Sequence, residues 1–239
     1  MLYQDWHHLL FLHWEVPPGE LQSLLPAGLD LDTFEGKAYV SLVPFTITGI
    51  RAALTPPLPW ISSFHEVNVR TYVHRNGSDP GVWFFSLDAS RSIAVTAARA
   101  SYKLPYFKAS IDFEASHDPL PVIDFLSRRR DSRGTMPANC RVRYQPSDGA
   151  VTHAAPGTLD FFLLERYVLY SVDGDHNLHR ARVSHEPYAI QRVELLDLDE
   201  TLVWAAKIKR PESAPIRHYA RDVTVRVFGL ERVIGISDQ

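Results

Sequence analysis

The sequence predicts an α+β fold dominated by antiparallel β-structure, and three observations carry that expectation. About ten segments read as strands and about four as short helices. No regular strand–helix alternation points to a doubly wound parallel sheet. Prolines and glycines are dispersed, with no internal repeat, low-complexity tract or linker, so residues 1–239 are expected to form one domain.

Taken in order, Pro17-Pro18-Gly19-Glu20 opens a short helix carrying Leu21, Leu24 and Leu25, and Pro26 ends it. Leu29–Phe34 and Lys37–Ile47 read as a hairpin about Glu35-Gly36. Leu54–Pro59 is a proline-stiffened loop. Phe64–His74 and Val82–Asp88 are strands about the turn Asn76–Gly81, and the alanine-rich Ser90–Ala100 is helical. Phe107–His117, Val122–Arg129 and Cys140–Gln145 suit a meander, the middle segment being readable also as a helix. Thr158–Leu164 is a short helix, and Tyr167–Asp173 with Leu178–His185 forms a hairpin about Gly174-Asp175-His176-Asn177. Strands at Ile190–Leu196 and Val223–Phe228, with a helix near Glu200–Ala205, complete the series.

Bulk properties exclude several classes. Hydrophobic residues at 45% and charged residues at 22% fit a globular chain rather than a disordered one. A net charge of -3 offers no basic field for nucleic acid. No apolar run reaches the roughly 18–20 residues of a membrane span, and the start lacks a signal-peptide pattern. With Cys140 as the only cysteine, a reducing, cytoplasmic setting is expected. A homo-oligomer is allowed. Lysine is scarce: Lys37, Lys103, Lys108, Lys207 and Lys209 are the whole complement, and arginine cannot act as an amine nucleophile.

The strand Phe64–His74 carries the chemistry. Alternation puts Val67, Val69, Thr71 and Val73 on one face and Phe64, Glu66, Asn68, Arg70 and Tyr72 on the other. Its partner, Val82-Trp83-Phe84-Phe85-Ser86-Leu87, is apolar on both faces, which a half-solvated sheet would not tolerate. The face with Glu66, Asn68 and Arg70 therefore reads as covered, either as a pocket wall or as an ion network, with a solvated face as the plainer alternative.

Downstream, Arg99 precedes Pro105 by six residues, and with Phe64-x-Glu66 this order resembles acetoacetate decarboxylase. A fuller similarity, to the uncharacterised YqjF-like family of the acetoacetate decarboxylase-like group, is collinear over most of the chain. It rests on Trp6–Trp14, Leu24-Leu25-Pro26, Glu66–Tyr72, Trp83–Asp88, Leu104–Phe107, Glu165-Arg166-Tyr167 and His185-Glu186-Pro187. The resemblance implies a closed, cone-like β-barrel with an internal cavity and helices outside. It also exposes a departure. Where the decarboxylase has its Schiff-base lysine and a lysine neighbour, this chain has Tyr106 and Phe107, which cannot form an imine. Lys108 is the one nearby substitute.

Glu66, Arg99 and Tyr106 are thus the candidate catalytic residues: a carboxylate for acid–base work, a guanidinium for a carboxylate and a phenol for an oxyanion. Asn68, Arg70, Tyr102, Trp83 and Phe107 are the candidate substrate-binding residues. Arg99 clamping loops through Glu66 is an equal structural reading. Neither a metal nor a cofactor is expected. His7 and His8 point apart, His176, His179 and His185 straddle a turn, and Asp173–Asn177 lacks the glycine and glutamate of a calcium loop. Arg128-Arg129-Arg130 with Arg133 reads as a solvated turn, and Cys140 as a core thiol. The chain is then an enzyme or binding protein for a small carbonyl or carboxylate compound, a non-catalytic sensor, or a structural domain. Glu165, Arg166 and His185 have no assigned role.

Overall fold

The structure is a computed structural model that describes residues 1–56, 63–116, 118, 120–131 and 136–233. Positions 57–59 of the expected proline loop, His117 and Arg133 lie outside the described residues. The chain opens with β1 (Leu2–Val16), α1 (Pro18–Gln22), β2 (Asp30–Leu31), β3 (Ala38–Ala52), β4 (Phe64–Arg75), β5 (Ser78–Ala89) and α2 (Ser92–Tyr102). The meander follows as β6 (Tyr106–Ala115), β7 (Ile123–Arg129) and β8 (Asn139–Pro146), then α3 (Leu159–Leu164), β9 (Val168–Val172) and β10 (Leu178–Ser184). Last come β11 (Ile190–Gln191), β12 (Val193–Glu200), α4 (Leu202–Ala205), β13 (Ile216–Val227) and β14 (Glu231–Arg232).

Seven strands close on themselves in the order β5-β9-β10-β13-β1-β3-β4, with β4 pairing back to β5. This ring is the closed architecture that the sequence resemblance implied. All its pairings are antiparallel except β5–β9. A second parallel pairing, β5–β6, leads out of the ring into the antiparallel sheet β6-β7-β8-β12. Val67 and Val69 of β4 share a core with Ile123, Phe125, Val142 and Cys140 of the outer sheet. Phe64 and Tyr72, from the opposite face of β4, join an inner core with Phe11, Val43, Leu87 and Leu164 of α3. β4 is therefore buried on both faces.

Local chemistry sets the connections. Asn76 and Gly77, at φ 49° and 72°, make a two-residue hairpin turn between β4 and β5, tighter than the expected turn over Asn76–Gly81. Thr158 caps α3 by accepting a bond from the Phe161 N–H at 3.3 Å. The expected hairpin about Glu35-Gly36 closes only at its turn, where Phe34 and Lys37 exchange backbone hydrogen bonds at 2.9 Å; the strand after Leu29, β2, pairs with β4 rather than with β3.

Three bulges re-aim side chains. His8, at φ 53°, sits at a register shift between β1 and β3. Before it Leu2, Gln4 and Trp6 face the ring interior, and after it Leu9 and Phe11 do. Gly49, at φ 64°, does the same for β3, switching the inward set from Val43, Phe45 and Ile47 to Ile50. A side chain at Gly49 would meet Asp5 Oδ2 at 2.6 Å. In β5 the shift falls at Phe85: Val82 and Phe84 face in before it, Leu87 after it.

Candidate functional site

The ring holds a cavity of about 220 Å³, larger than the roughly 150 Å³ of a cavity that takes up benzene. Glu66, Asn68 and Arg70 form one polar row along its wall, and they are only 2%, 4% and 8% exposed. Each is flanked by its cross-strand neighbours. Glu66 lies between Phe45 and Ala89, Asn68 between Val43 and Leu87, and Arg70 between Ser41 and Phe84. A mostly apolar frame of this kind weakens solvation of any charge in the row.

The Tyr106 hydroxyl donates to Glu66 Oε2 at 2.9 Å. Burial pushes the Glu66 carboxyl up from its ordinary 4.5 to about 7, with the Tyr106 and Asn68 hydrogen bonds holding it down and Asp88 adding a smaller push. Burial also raises the Tyr106 phenol well above its usual range, helped by the Glu66 charge. Near neutral pH this pair is a carboxyl poised to gain or lose a proton beside a phenol that keeps its own.

Arg99 does not line the cavity. Lys103 ends α2 in the left-handed conformation at φ 56°, which turns the chain back toward the helix. The Arg99 guanidinium then spans the turn, donating to the Tyr106 carbonyl (2.8 Å from Nε) and to Asp131 Oδ2 at 2.6 Å. Leu87 N–H bonds the Pro105 carbonyl at 3.1 Å and completes the clamp. The six-residue spacing from Arg99 to Pro105 thus fixes where β6 starts, and so where the Tyr106 hydroxyl lies. The expected ligand contact from Arg99 gives way to positioning, and the clamp does not run through Glu66.

Two further expectations are corrected. Trp83 packs against the separate cluster of Leu29, Val73, Val168 and Tyr170, because the bulge at Phe85 gives the inward place to Phe84. Phe107 alternates away from Tyr106 and lies under the Arg129 guanidinium, 3.9 Å from its ring centre. Arg129, far from being solvated, makes a bidentate pair with the fully buried Asp88 at 2.6 and 2.8 Å. Tyr102 does line the cavity.

Of the residues left without a role, Arg166 and His185 also line the cavity. Arg166 is held by Asp32 at 2.5 Å and stacks on Phe162 at 4.2 Å. The His185 ring lies 4.5 Å from that of Tyr188, and burial lowers its pKa. Glu165 accepts from the Tyr188 N–H at 3.0 Å and from the Tyr167 hydroxyl. Sequence reasoning missed Trp6, Phe11, Phe84 and Tyr188. Only the aromatic density of β1 and the His185-Glu186-Pro187 signal pointed toward them.

None of the five lysines lines the cavity. Lys108 is exposed, and Lys37 is engaged with Glu15 at 2.9 Å. Among the described residues no cluster of three or more His, Cys, Asp or Glu side chains stands ready for a metal ion. Nor, among them, is any helix long and apolar enough to cross a membrane.

The seven-strand ring with its outer sheet has the fold of acetoacetate decarboxylase-like proteins. An acetoacetate decarboxylase-like enzyme from Sphingomonas wittichii RW1 superposes with a TM-score of 0.63 at 14% identity, covering 98% of this chain and 92% of that one. The enduracididine biosynthesis enzyme MppR, complexed with a condensation product of pyruvate and imidazole 4-carboxaldehyde, gives 0.65 at 12% identity over 97% and 89%. The acetoacetate decarboxylase of Legionella pneumophila gives 0.61 at 14% over 98% and 88%. Within that fold, residues 3–224 match the model of the DUF2071 family, described as an uncharacterized conserved protein, and the chain belongs to that family. It is 37% identical over 229 residues to the uncharacterized protein YqjF of Bacillus subtilis (strain 168), covering 96% of this chain and 91% of YqjF.

Proposed function

We propose that the cavity binds a small carbonyl or carboxylate compound and that Glu66 performs non-covalent acid–base chemistry on it. The observation that carries this reading is the Glu66 carboxyl, buried in the cavity wall, bonded to Tyr106 and held near pKa 7. General acid–base catalysis is most effective when the group titrates near working pH, and contributes roughly 10²–10⁴-fold. In a proton abstraction next to a carbonyl, the C–H proton passes to Glu66 and its electron pair moves into the new C=C bond. The carbonyl oxygen becomes an enolate, which the Tyr106 hydroxyl can receive by turning from Glu66. MppR, on the same fold, is complexed with pyruvate, which supports the ligand class. With no lysine on the cavity wall, imine chemistry has no nucleophile.

The test is hydrogen exchange. Oxo acids of graded chain length incubated with the protein in heavy water should exchange their activated protons, with a rate that rises through about pH 7. Glu66→Gln should lower that rate by roughly 10²–10⁴-fold. Borohydride should trap no adduct. A trapped lysine adduct, or a Glu66→Gln variant as fast as the native chain, would overturn the chemistry. Tight binding without exchange would leave a sensor on the same cavity.

A further inference from the structure

Arg70 is a buried cation with no carboxylate partner among the described residues. Its Nε has no hydrogen-bond partner; Nη2 lies 3.5 Å from the Leu163 carbonyl, and the guanidinium also bonds the Tyr72 hydroxyl, a neutral group. The guanidinium otherwise faces the Phe11 ring, 5.5 Å away. Among the described residues no carboxylate lies within salt-bridge distance of it, although it lines the cavity. Glu165 acts on the same two rings as Arg70, those of Tyr188 and His185, but both its oxygens are engaged by Tyr188 and Tyr167. Arg166, the other guanidinium on the wall, is already paired with Asp32. A charge withdrawn from water and left unpaired is strongly disfavoured, so an anion from outside is the natural complement.

Asn68 adds an unsatisfied group of the opposite kind. Its amide bonds Glu66, while its Oδ1 is buried with no donor. The wall therefore asks for an anion at Arg70 and for a donor group near Asn68 and Glu66. The separation of these poles follows from the strand. Glu66 and Arg70 share a face four residues apart, about 13 Å at ~3.3 Å per residue. The Arg70 head group leans further along the strand, toward Leu163 and Tyr72, so a ligand that meets both poles must carry its own polar groups several ångströms apart. An acid whose carbonyl is one carbon from its carboxylate cannot span that. An extended chain of about six carbons can, and Val43, Phe84 and Leu87 supply the apolar wall along which it would lie.

We propose that the ligand is a medium-length aliphatic carboxylate, its carboxylate forked on Arg70 and a hydroxyl at the far end donating to Asn68 Oδ1 beside Glu66. This rests on the reading of the cavity as a ligand site and narrows it to a chain length. The test is calorimetric titration with ω-hydroxyhexanoate, hexanoate, hexanol and acetoacetate. It uses the native chain, Arg70→Gln, Arg70→Lys and Glu66→Gln. ω-Hydroxyhexanoate should bind at least ten-fold more tightly than acetoacetate or hexanol. Arg70→Gln should remove that advantage over hexanol, with partial recovery in Arg70→Lys. Glu66→Gln should weaken the hydroxy acid several-fold and leave hexanoate unchanged. If Arg70→Gln fails to fold, the chain-length series on the native protein decides alone. Acetoacetate binding as tightly as the longer acid would sink the two-pole ligand while leaving the cavity reading intact. Binding of none of the four would overturn both.

Discussion

Replacing Glu66 by glutamine should abolish a specific pH dependence of stability. The folded chain holds the Glu66 proton to about pH 7, whereas an exposed glutamate releases it near 4.5. A carboxyl whose pKa rises on folding favours the folded state most below the unfolded value, and that contribution is lost as pH climbs through 7. The shift corresponds to about 3 kcal/mol in full, and about 2 to 3 kcal/mol of it falls between pH 5 and pH 8. Glutamine keeps an oxygen for the Tyr106 hydroxyl and cannot ionise. Urea unfolding of both proteins, followed by tryptophan fluorescence at intervals across that range, isolates the effect, because every other titrating group cancels in the difference. The stability of Glu66→Gln relative to the native chain should rise by about 2 to 3 kcal/mol from pH 5 to pH 8. A flat difference would show that Glu66 titrates as an ordinary solvated acid and that its burial has no electrostatic consequence.

Three other outcomes follow from the same geometry. Tyr106→Phe removes a hydrogen bond that holds the Glu66 pKa down, so the midpoint of that pH dependence should move up by about one unit. Asp88→Ala leaves the Arg129 charge buried and unpaired between ring and outer sheet, which should cost roughly 3–5 kcal/mol in urea unfolding. Gly81→Ala places a methyl 2.5 Å from the Val168 carbonyl oxygen where β5 meets β9. It should cost roughly 1–3 kcal/mol, visible as a lower Tm.

The polar row was legible because β4 keeps strict alternation from Phe64 to Val73, so the sequence period maps directly onto the two faces. β5 and β1 were less so, since each carries a bulge that reverses which residues look inward. In β5 this put Phe84 rather than Trp83 in the wall. In β1 it broke the fifteen-residue strand Leu2–Val16 into two patterns of opposite parity, neither recognisable alone as one strand. Arg99 misled for another reason. Its spacing to Pro105 is real, but the left-handed turn at Lys103 sends the guanidinium to a backbone carbonyl instead of the cavity. Nothing in the residue types distinguishes those two destinations. Arg166 and His185 come from segments distant in sequence, and only closure of the ring brings them to the wall.

Glu66 is a buried carboxyl on the cavity wall whose pKa burial raises to about 7. A ¹³C NMR titration of the Glu66 side-chain carboxyl, assigned through Glu66→Gln, observes that group directly. An inflection near pH 7 is the result expected, and one near pH 4.5 would contradict it.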